Sequence, residues 1–307
     1  MSPRVGTYSC CGVQKGVFIG HGKEEEMIRI CFLALLVGVC TSGRAAIIQF
    51  SDFSSTEALQ LNGEAAAVST TEGWVLRLTP SDPSLKRGSV FWKNAVDVTA
   101  FRSSFTFSIS TPNIGPLDTA GQRGADGFAF VVQSGVDGPA SLGVAGDGLG
   151  YKGVQPSAAV EFDIWQNVTD APNHDPSSNH LGMLVDGAVD HGAGSPWTAD
   201  VASPFDDAGL WYGWVDYDGT TLQVRVNQTG VYPAEPSLSR PLDLSSILGQ
   251  PTAYVGFTAA TGSGLAEQRL VSWTYVPEPA SMTMLLLLMV AMRHLRCSPR
   301  RRPTRLW

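Results

Sequence analysis

The 307-residue chain carries 21 Lys+Arg against 28 Asp+Glu, a formal net charge of −7. Ten of those basic residues and 24 of the acidic ones fall within 46–276, so that stretch alone stands near −14. Such an acidic body excludes nucleic acid and anionic lipid as partners, and it suits the binding of cations.

In chain order, the first organised stretch begins at Met27: MIRICFLALLVGVCTSGRAA, with Arg29, an apolar run Ile30 to Val39 and small residues from Gly43 to Ala46. That is the pattern of an export signal, and the run is too short for a stable bilayer span. Cleavage after Ala45 puts Gly43 at the −3 position. The 26 residues before Met27 have no comparable logic, so Met27 is read as the start. Cys40 opens a lipoprotein alternative, against which Val39, large for a lipobox, stands. Cys10, Cys11, Cys31, Cys40 and Cys297 all lie outside 46–276, so the exported body must be held by its core or by metal and not by disulfides.

Residues 46–276 read as one all-β domain. WVLRLT (74–79) puts Trp74, Leu76 and Leu78 on one face, and SFTFSIS (104–110) does the same with Phe105, Phe107 and Ile109. GFAFVVQ, AVEFDIW, WVDYDG, TLQVRVN, AYVGFTA and LVSWTY continue the alternation, separated by Gly, Pro, Asp and Ser clusters. A tight turn is expected at Asp218-Gly219. No long 3.6-residue period interrupts the pattern, which predicts an antiparallel sandwich or jelly roll.

AVEFDIWQNVTDAPNHDPSSNH (159–180) asks for more than a strand. Side chains two apart share a face about 7 Å from each other, so Val160, Phe162 and Ile164 point into the core while Glu161, Asp163, Trp165 and Asn167 point away from it. Two carboxylates on one face with no basic neighbour in sequence repel each other, and a divalent cation relieves that repulsion. At the other end of the chain a Pro-Glu-Pro turn (277–279) precedes the apolar run Met282 to Met292 and a cluster of arginines. A short membrane anchor with a positive flank is one reading of it. The arrangement also resembles the PEP-CTERM sorting signal of Gram-negative bacteria. That resemblance implies removal by an exosortase and delivery to the cell surface or extracellular matrix. The chain then divides into 1–45, 46–276 and 277–307.

The run EFDIWQN followed by DPSSNH resembles the metal-binding segment of the legume-type (L-type) lectins. ADGFAFVV (125–132), GDGLGY (146–151), VGFTAATG (255–262) and LVSWTY (270–275) occur in that family's order, so the resemblance covers the whole body. It implies the legume-lectin jelly roll and a non-enzymatic, metal-dependent carbohydrate binder. By the same resemblance Glu161, Asp163, Asp175 and His180 correspond to the ligands of a transition metal, usually Mn2+. Asp163, Asp175, the Asn167 side chain and the Trp165 carbonyl correspond to the neighbouring Ca2+ site. Oxygen donors with one imidazole suit the first ion and hard oxygens the second. The loop beginning at Val168 is longer than is common in the family, so Asp170 competes with Asp175 as the shared ligand. His174 is read as a solvated loop residue.

For the sugar, the resemblance assigns Asp126, at the surface after a cis Ala125–Asp126 peptide, to accept two hydroxyls. Asn167 gives its carbonyl oxygen to calcium and its NH2 to the sugar, and Trp165 stacks on the ring. Asp147 stands where the family often has a second glycine, to crowd the pocket or to read a further hydroxyl. The short segment SGLAEQ places Ser263, Gly264 and Leu265 at the rim. A jelly-roll glycosidase of the laminarinase-like kind is the enzymatic alternative, but its E-x-D-x-(x)-E lacks the last carboxylate here, where Trp165 and Gln166 stand. A matrix protein that has lost sugar binding is the third reading. A homo-oligomer is left open.

Overall fold

Alternating apolar and small polar residues build sixteen strands among the described residues, which in this computed structural model are 48–82, 85–167 and 173–278. The export segment, Asp170 and the sorting segment beyond Glu278 lie outside them. The strands are β1 (Ile48–Phe50), β2 (Leu59–Gly63), β3 (Ala66–Thr70), β4 (Gly73–Thr79), β5 (Lys86–Trp92), β6 (Val96–Asp97), β7 (Phe101–Ser110) and β8 (Gly127–Gln133). They continue with β9 (Ser157–Asp163), β10 (His180–Val185), β11 (Thr198–Asp200), β12 (Trp211–Tyr217), β13 (Thr221–Asn227), β14 (Leu238–Pro241), β15 (Thr252–Thr261) and β16 (Glu267–Pro277). The short α-helix among the described residues, α1 (Leu244–Leu248), is capped by Asp243, whose carboxylate accepts the Ser246 N–H.

The strands form two antiparallel sheets. The first has the order β14-β13-β12-β7-β16-β4-β3, with β1 also on β16; the second is β11-β10-β9-β8-β15-β5-β2, with β6 also on β15. The expected all-β jelly-roll sandwich is what the chain forms. Between the sheets lie the rings that the alternation put inward: Phe105, Phe107, Phe128, Phe162, Phe257 and Trp273 are all buried. Phe128 and Phe162 face each other across β8 and β9 and stack at 4.7 Å, while Phe257 meets Phe105 edge-on at 5.0 Å. Such contacts add about 0.5–1.5 kcal/mol each beyond burial.

One strand reading needs correction here. Trp74 is 43% exposed, because it lies near the start of β4 opposite Ser69, at the outer end of the β3–β4 hairpin. The outer face of β9, which carries Glu161 and Asp163, is covered: every residue of that strand is buried. Phe91, Ala129, Val131, Ala159 and Leu184 form a second apolar cluster there with Leu149, Tyr151, Val154 and Val189 from overlying loops. Glu161 and Asp163 therefore sit at the edge of a covered layer, which sharpens the need for something to neutralise them. At the expected Asp218-Gly219 turn, the Asp218 carboxylate accepts the N–H groups of Thr220 and Thr221, both at 2.8 Å, so the loop also takes in Thr220.

Candidate functional site

The site is built where β8, β9 and β10 end together. Across the ladders Asp163 lies opposite Gly127 and His180, and Glu161 lies opposite Ala129 and Gly182. Partners opposite each other share a face, so both carboxylates and the imidazole project together between small neighbours. Gly127 has φ +136°, and a Cβ there would collide with the Phe162 carbonyl, so the Gly of ADG is required by the close approach of β8 to β9.

The strand stops at Asp163, earlier than the alternation suggested. The Asp163 carboxylate captures the Trp165 N–H at 2.7 Å, and the Ile164 N–H turns to the Asp126 carbonyl at 3.0 Å. A side chain competing for the backbone in this way ends a ladder. Trp165 and Asn167 accordingly belong to the following loop, not to the strand face predicted for them. The Asn167 N–H donates to Asp175 Oδ2 at 2.6 Å, which folds the loop back and brings Asp175 to the cluster.

Glu161, Asp163, Asp175 and His180 thus converge as expected, and all four are buried. A fifth residue, His191, was missed. The loop between β10 and β11 carries it in, and its Nε2 lies 2.6 Å from Glu161 Oε1; His180 Nε2 is 3.2 Å from the same oxygen. Asp175 Oδ1 lies 3.9 Å from the His191 nitrogen and 4.0 Å from that of His180. Sequence offered one faint signal for His191, a histidine in a Gly-rich loop (VDHGAGS), but nothing in spacing joins it to residues thirty positions earlier.

The electrostatics are those of a cation site. Burial pushes Asp163 well above the ordinary carboxylate range, and the charges of Asp175 and Glu161 push it further. Burial likewise raises Asp175 to about 6, with His180 opposing. Burial also works to raise Glu161, but the two imidazoles outweigh it and hold that group at about 2. Glu161 Oε1, His180 Nε2, His191 Nε2 and Asn167 Oδ1 are buried with no aligned hydrogen-bond partner among the described residues. Buried polar atoms are normally paired, and these are of the donor types that divalent ions take. The residues present therefore fit metal.

The predicted sugar residues meet at the rim of this cluster, with differences. The Ala125–Asp126 peptide is cis, as the resemblance implied. Asp126 is 3% exposed and not at the surface, because loops close over it: a Cβ on Gly262 would stand 2.9 Å from its Oδ2. Burial raises its pKa well above normal, and the charges of Asp147 and Asp175 add to the shift. Asp147 forms an ion pair with Lys152 at 3.1 Å, so its carboxylate is already engaged. Leu265 is buried at 4% and does not reach the rim. Gly264 is the residue against Trp165, where an added Cβ would lie 3.0 Å from the indole Cζ3. His174 reaches solvent but also pairs with Asp190 at 2.6 Å. An open cleft of about 380 Å3 between Gln122, Ser178 and Asp206 lies beside the site and is lined by none of the predicted residues.

A two-sheet antiparallel sandwich with carboxylates and imidazoles gathered at a loop end defines a class of protein, and comparison places the chain within it. Residues 47–284 match the legume lectin domain model, and the chain belongs to that family. The L-type lectin-domain containing receptor kinase VIII.1 of Arabidopsis thaliana is 31% identical over 260 residues, covering 79% of this chain and 34% of that one. A lectin-like protein of the same plant is 27% identical over 279 residues, 80% of this chain and 96% of that. The chain spans about a third of the length of the receptor kinase. Among solved structures, the lectin from Bauhinia forficata in complex with GalNAc superposes with a TM-score of 0.59 at 24% identity, covering 76% of this chain and 98% of that one. Lectin I-B4 from Griffonia simplicifolia, in a metal-free form, gives 0.60 at 24%, with 76% and 100% covered. At these identities the solved structures establish the fold.

Proposed function

We propose that the chain is a metal-dependent carbohydrate-binding protein without catalytic activity, exported to the cell surface or extracellular matrix. The observation that carries this reading is the set of unpartnered buried donors, Asn167 Oδ1 and Asp126 Oδ2 among them, lying where the family places its ions and sugar. Glu161, Asp163, Asp175 and His180 would hold a transition-metal ion. Asp163, Asp175, Asn167 Oδ1 and the Trp165 carbonyl would hold Ca2+. When bound, the ions neutralise the carboxylates and brace the loop that carries Asn167. Asp126 accepts sugar hydroxyls, the Asn167 NH2 donates, and the half-buried Trp165 offers its ring to the C–H face. Catalysis is disfavoured because Glu161 is enclosed beneath two imidazoles, out of reach of a glycosidic oxygen. A glycan array read with and without EDTA, beside a reducing-sugar assay on the same glycans, tests this. Chelator-sensitive binding with no sugar release is expected; binding to nothing would favour the matrix-protein reading.

Metal uptake should depend on pH with a defined sign. Asp175 titrates near 6 without metal, and Asp163 is held above its ordinary range, so an ion must displace protons to bind. Affinity for both ions is expected to fall as pH drops through about 6, and calorimetry in buffers of different ionisation heat would count the protons released. The same upward shifts mean that the metal-free fold binds these protons more tightly than the unfolded chain. Their contribution therefore makes it more stable as pH falls from 6 toward 4.

The terminal segments complete the proposal: export through the Met27–Ala45 signal, then exosortase processing at the PEP-CTERM-like tail. The intact mass of protein from the native host is expected to correspond to a start near residue 46 and to lack Met282–Met292. A mature species retaining Arg300 to Arg302 overturns this part.

A further inference from the structure

We infer that the transition-metal site is a two-histidine site, with His191 a direct ligand beside His180 and Glu161, and that it prefers zinc or cobalt to manganese. The inference rests on the metal dependence proposed above, and it departs from the single imidazole that the family resemblance implies.

Five observations carry it. One donor atom from each of Glu161, His180 and His191 lies within 4.8 Å of the others, and the His191 side chain is 1% exposed. His180 Nδ1 is 2.9 Å from the Ser177 carbonyl, which can only accept, so that nitrogen carries the proton. With Nδ1 engaged in this way, His180 presents Nε2 to Glu161 Oε1 at 3.2 Å, so a cation held between them would meet one donor atom from each. Neither imidazole Nε2 has an aligned hydrogen bond, which counts against a purely structural His191–Glu161 link.

Room has also been made for the second ring. Gly182 lies directly across from Glu161 on β10, and a Cβ there would overlap both Glu161 Oε1 and His191 Cε1. Any other residue at 182 would displace the imidazole. Finally, the loop that delivers His191 is fixed on the side leading into it and at His191 itself. The His191 N–H donates to the Asn173 carbonyl at 2.9 Å, His174 pairs with Asp190, and the Gly153 N–H donates to the Gly187 carbonyl at 2.9 Å. His191 is thus positioned by contacts that include none of the metal ligands. Exchanging an oxygen or water donor for a second imidazole moves a site from manganese toward the later divalent ions, which imidazole suits.

The test titrates Zn2+, Co2+, Mn2+ and Ca2+ separately into the chelator-treated full chain, as wild type, His191→Ala and Gly182→Ala. His191→Ala should weaken zinc and cobalt by about 100-fold, manganese by less than about tenfold, and leave calcium unchanged. Gly182→Ala, which keeps the ring but pushes it aside, should show the same selective loss. X-ray absorption of the zinc-loaded wild type should report two imidazoles, a readout that needs no variant to fold. One imidazole in that spectrum, or an equal loss for all four ions in His191→Ala, overturns the inference. If ions bind and sugar binding depends on them while His191→Ala is neutral, this inference alone falls. If wild type binds none of the four ions, the metal-dependent reading falls with it.

Discussion

Asp126→Ala is expected to abolish sugar binding, by about 100-fold or more, and to leave the melting temperature unchanged or raised. A carboxylate that accepts two hydroxyls supplies about 1.5–3 kcal/mol per charged hydrogen bond, so losing both removes most of a monosaccharide's affinity. Asp126 is held through its backbone, its N–H donating to the Ala260 carbonyl and its carbonyl accepting from Ile164, both at 3.0 Å. Its Oδ2 has no partner among the described residues, and burial with the Asp147 and Asp175 charges makes ionisation there costly. Removing a buried, unsatisfied acid is therefore neutral or favourable in the metal-free chain. Asp126→Asn should lose binding too, since an amide nitrogen donates where the sugar needs an acceptor. Calorimetric titration of a glycan identified on the array, paired with thermal melting, separates the outcomes. Retained binding would remove Asp126 from the sugar site, and unfolding would make it structural.

Much of this architecture could be read before any coordinates. Period-two alternation is enforced by the pleat itself, so Phe105, Phe107 and Phe162 declared their faces in sequence, and the two sheets close over them as expected. The carboxylates of β9 and the DPSSNH histidine were legible for a related reason. They lie on or beside one strand pair, and register fixes their distance. What sequence did not carry was the behaviour of loops. Trp165 and Asn167 look like further strand positions until the Asp163 carboxylate takes the Trp165 N–H and ends the ladder. Leu265 looks like a rim residue until the 262–265 segment packs it inward. His191 is invisible because its approach to Glu161 depends on a loop clamp, through Asn173 and Asp190, that no short-range pattern encodes. Asp126 moved from the surface to the interior for the same reason, once the segment carrying Gly262 closed against it.

Chelation should extinguish sugar binding while leaving most of the sandwich folded. The core rings of Phe105, Phe107, Phe128 and Phe162 touch one another between the sheets, Trp273 joins them through Phe257, and none belongs to the residues assigned to the ions, so far-ultraviolet dichroism and core hydrogen exchange should barely change. At the site the consequences are local. Asp163 and Asp175 are then left as neighbouring buried carboxylates: burial and the charges of Asp175 and Glu161 favour the protonated form of Asp163, while Asp175 takes up a proton only as pH falls toward about 6. Without an ion between them the two side chains no longer brace the Asn167–Asp175 turn, so exchange protection should drop at Asn167 and across the segment leading to His180. The stability lost is the linkage term, about 2.7 kcal/mol where metal had stood at a hundred times its Kd. Returning calcium should restore binding to the wild type. Asn167→Ala should stay inactive even in excess calcium, because it removes the one side chain that serves both ion and sugar, while Asp170→Ala should be nearly silent. The decisive experiment titrates sugar into apo, recalcified and Asn167→Ala protein, with metal content verified for each. Undiminished binding by the verified apo protein would sink the metal-dependent mechanism, because Asn167 and Asp126 would then be shown to need no ion to hold them.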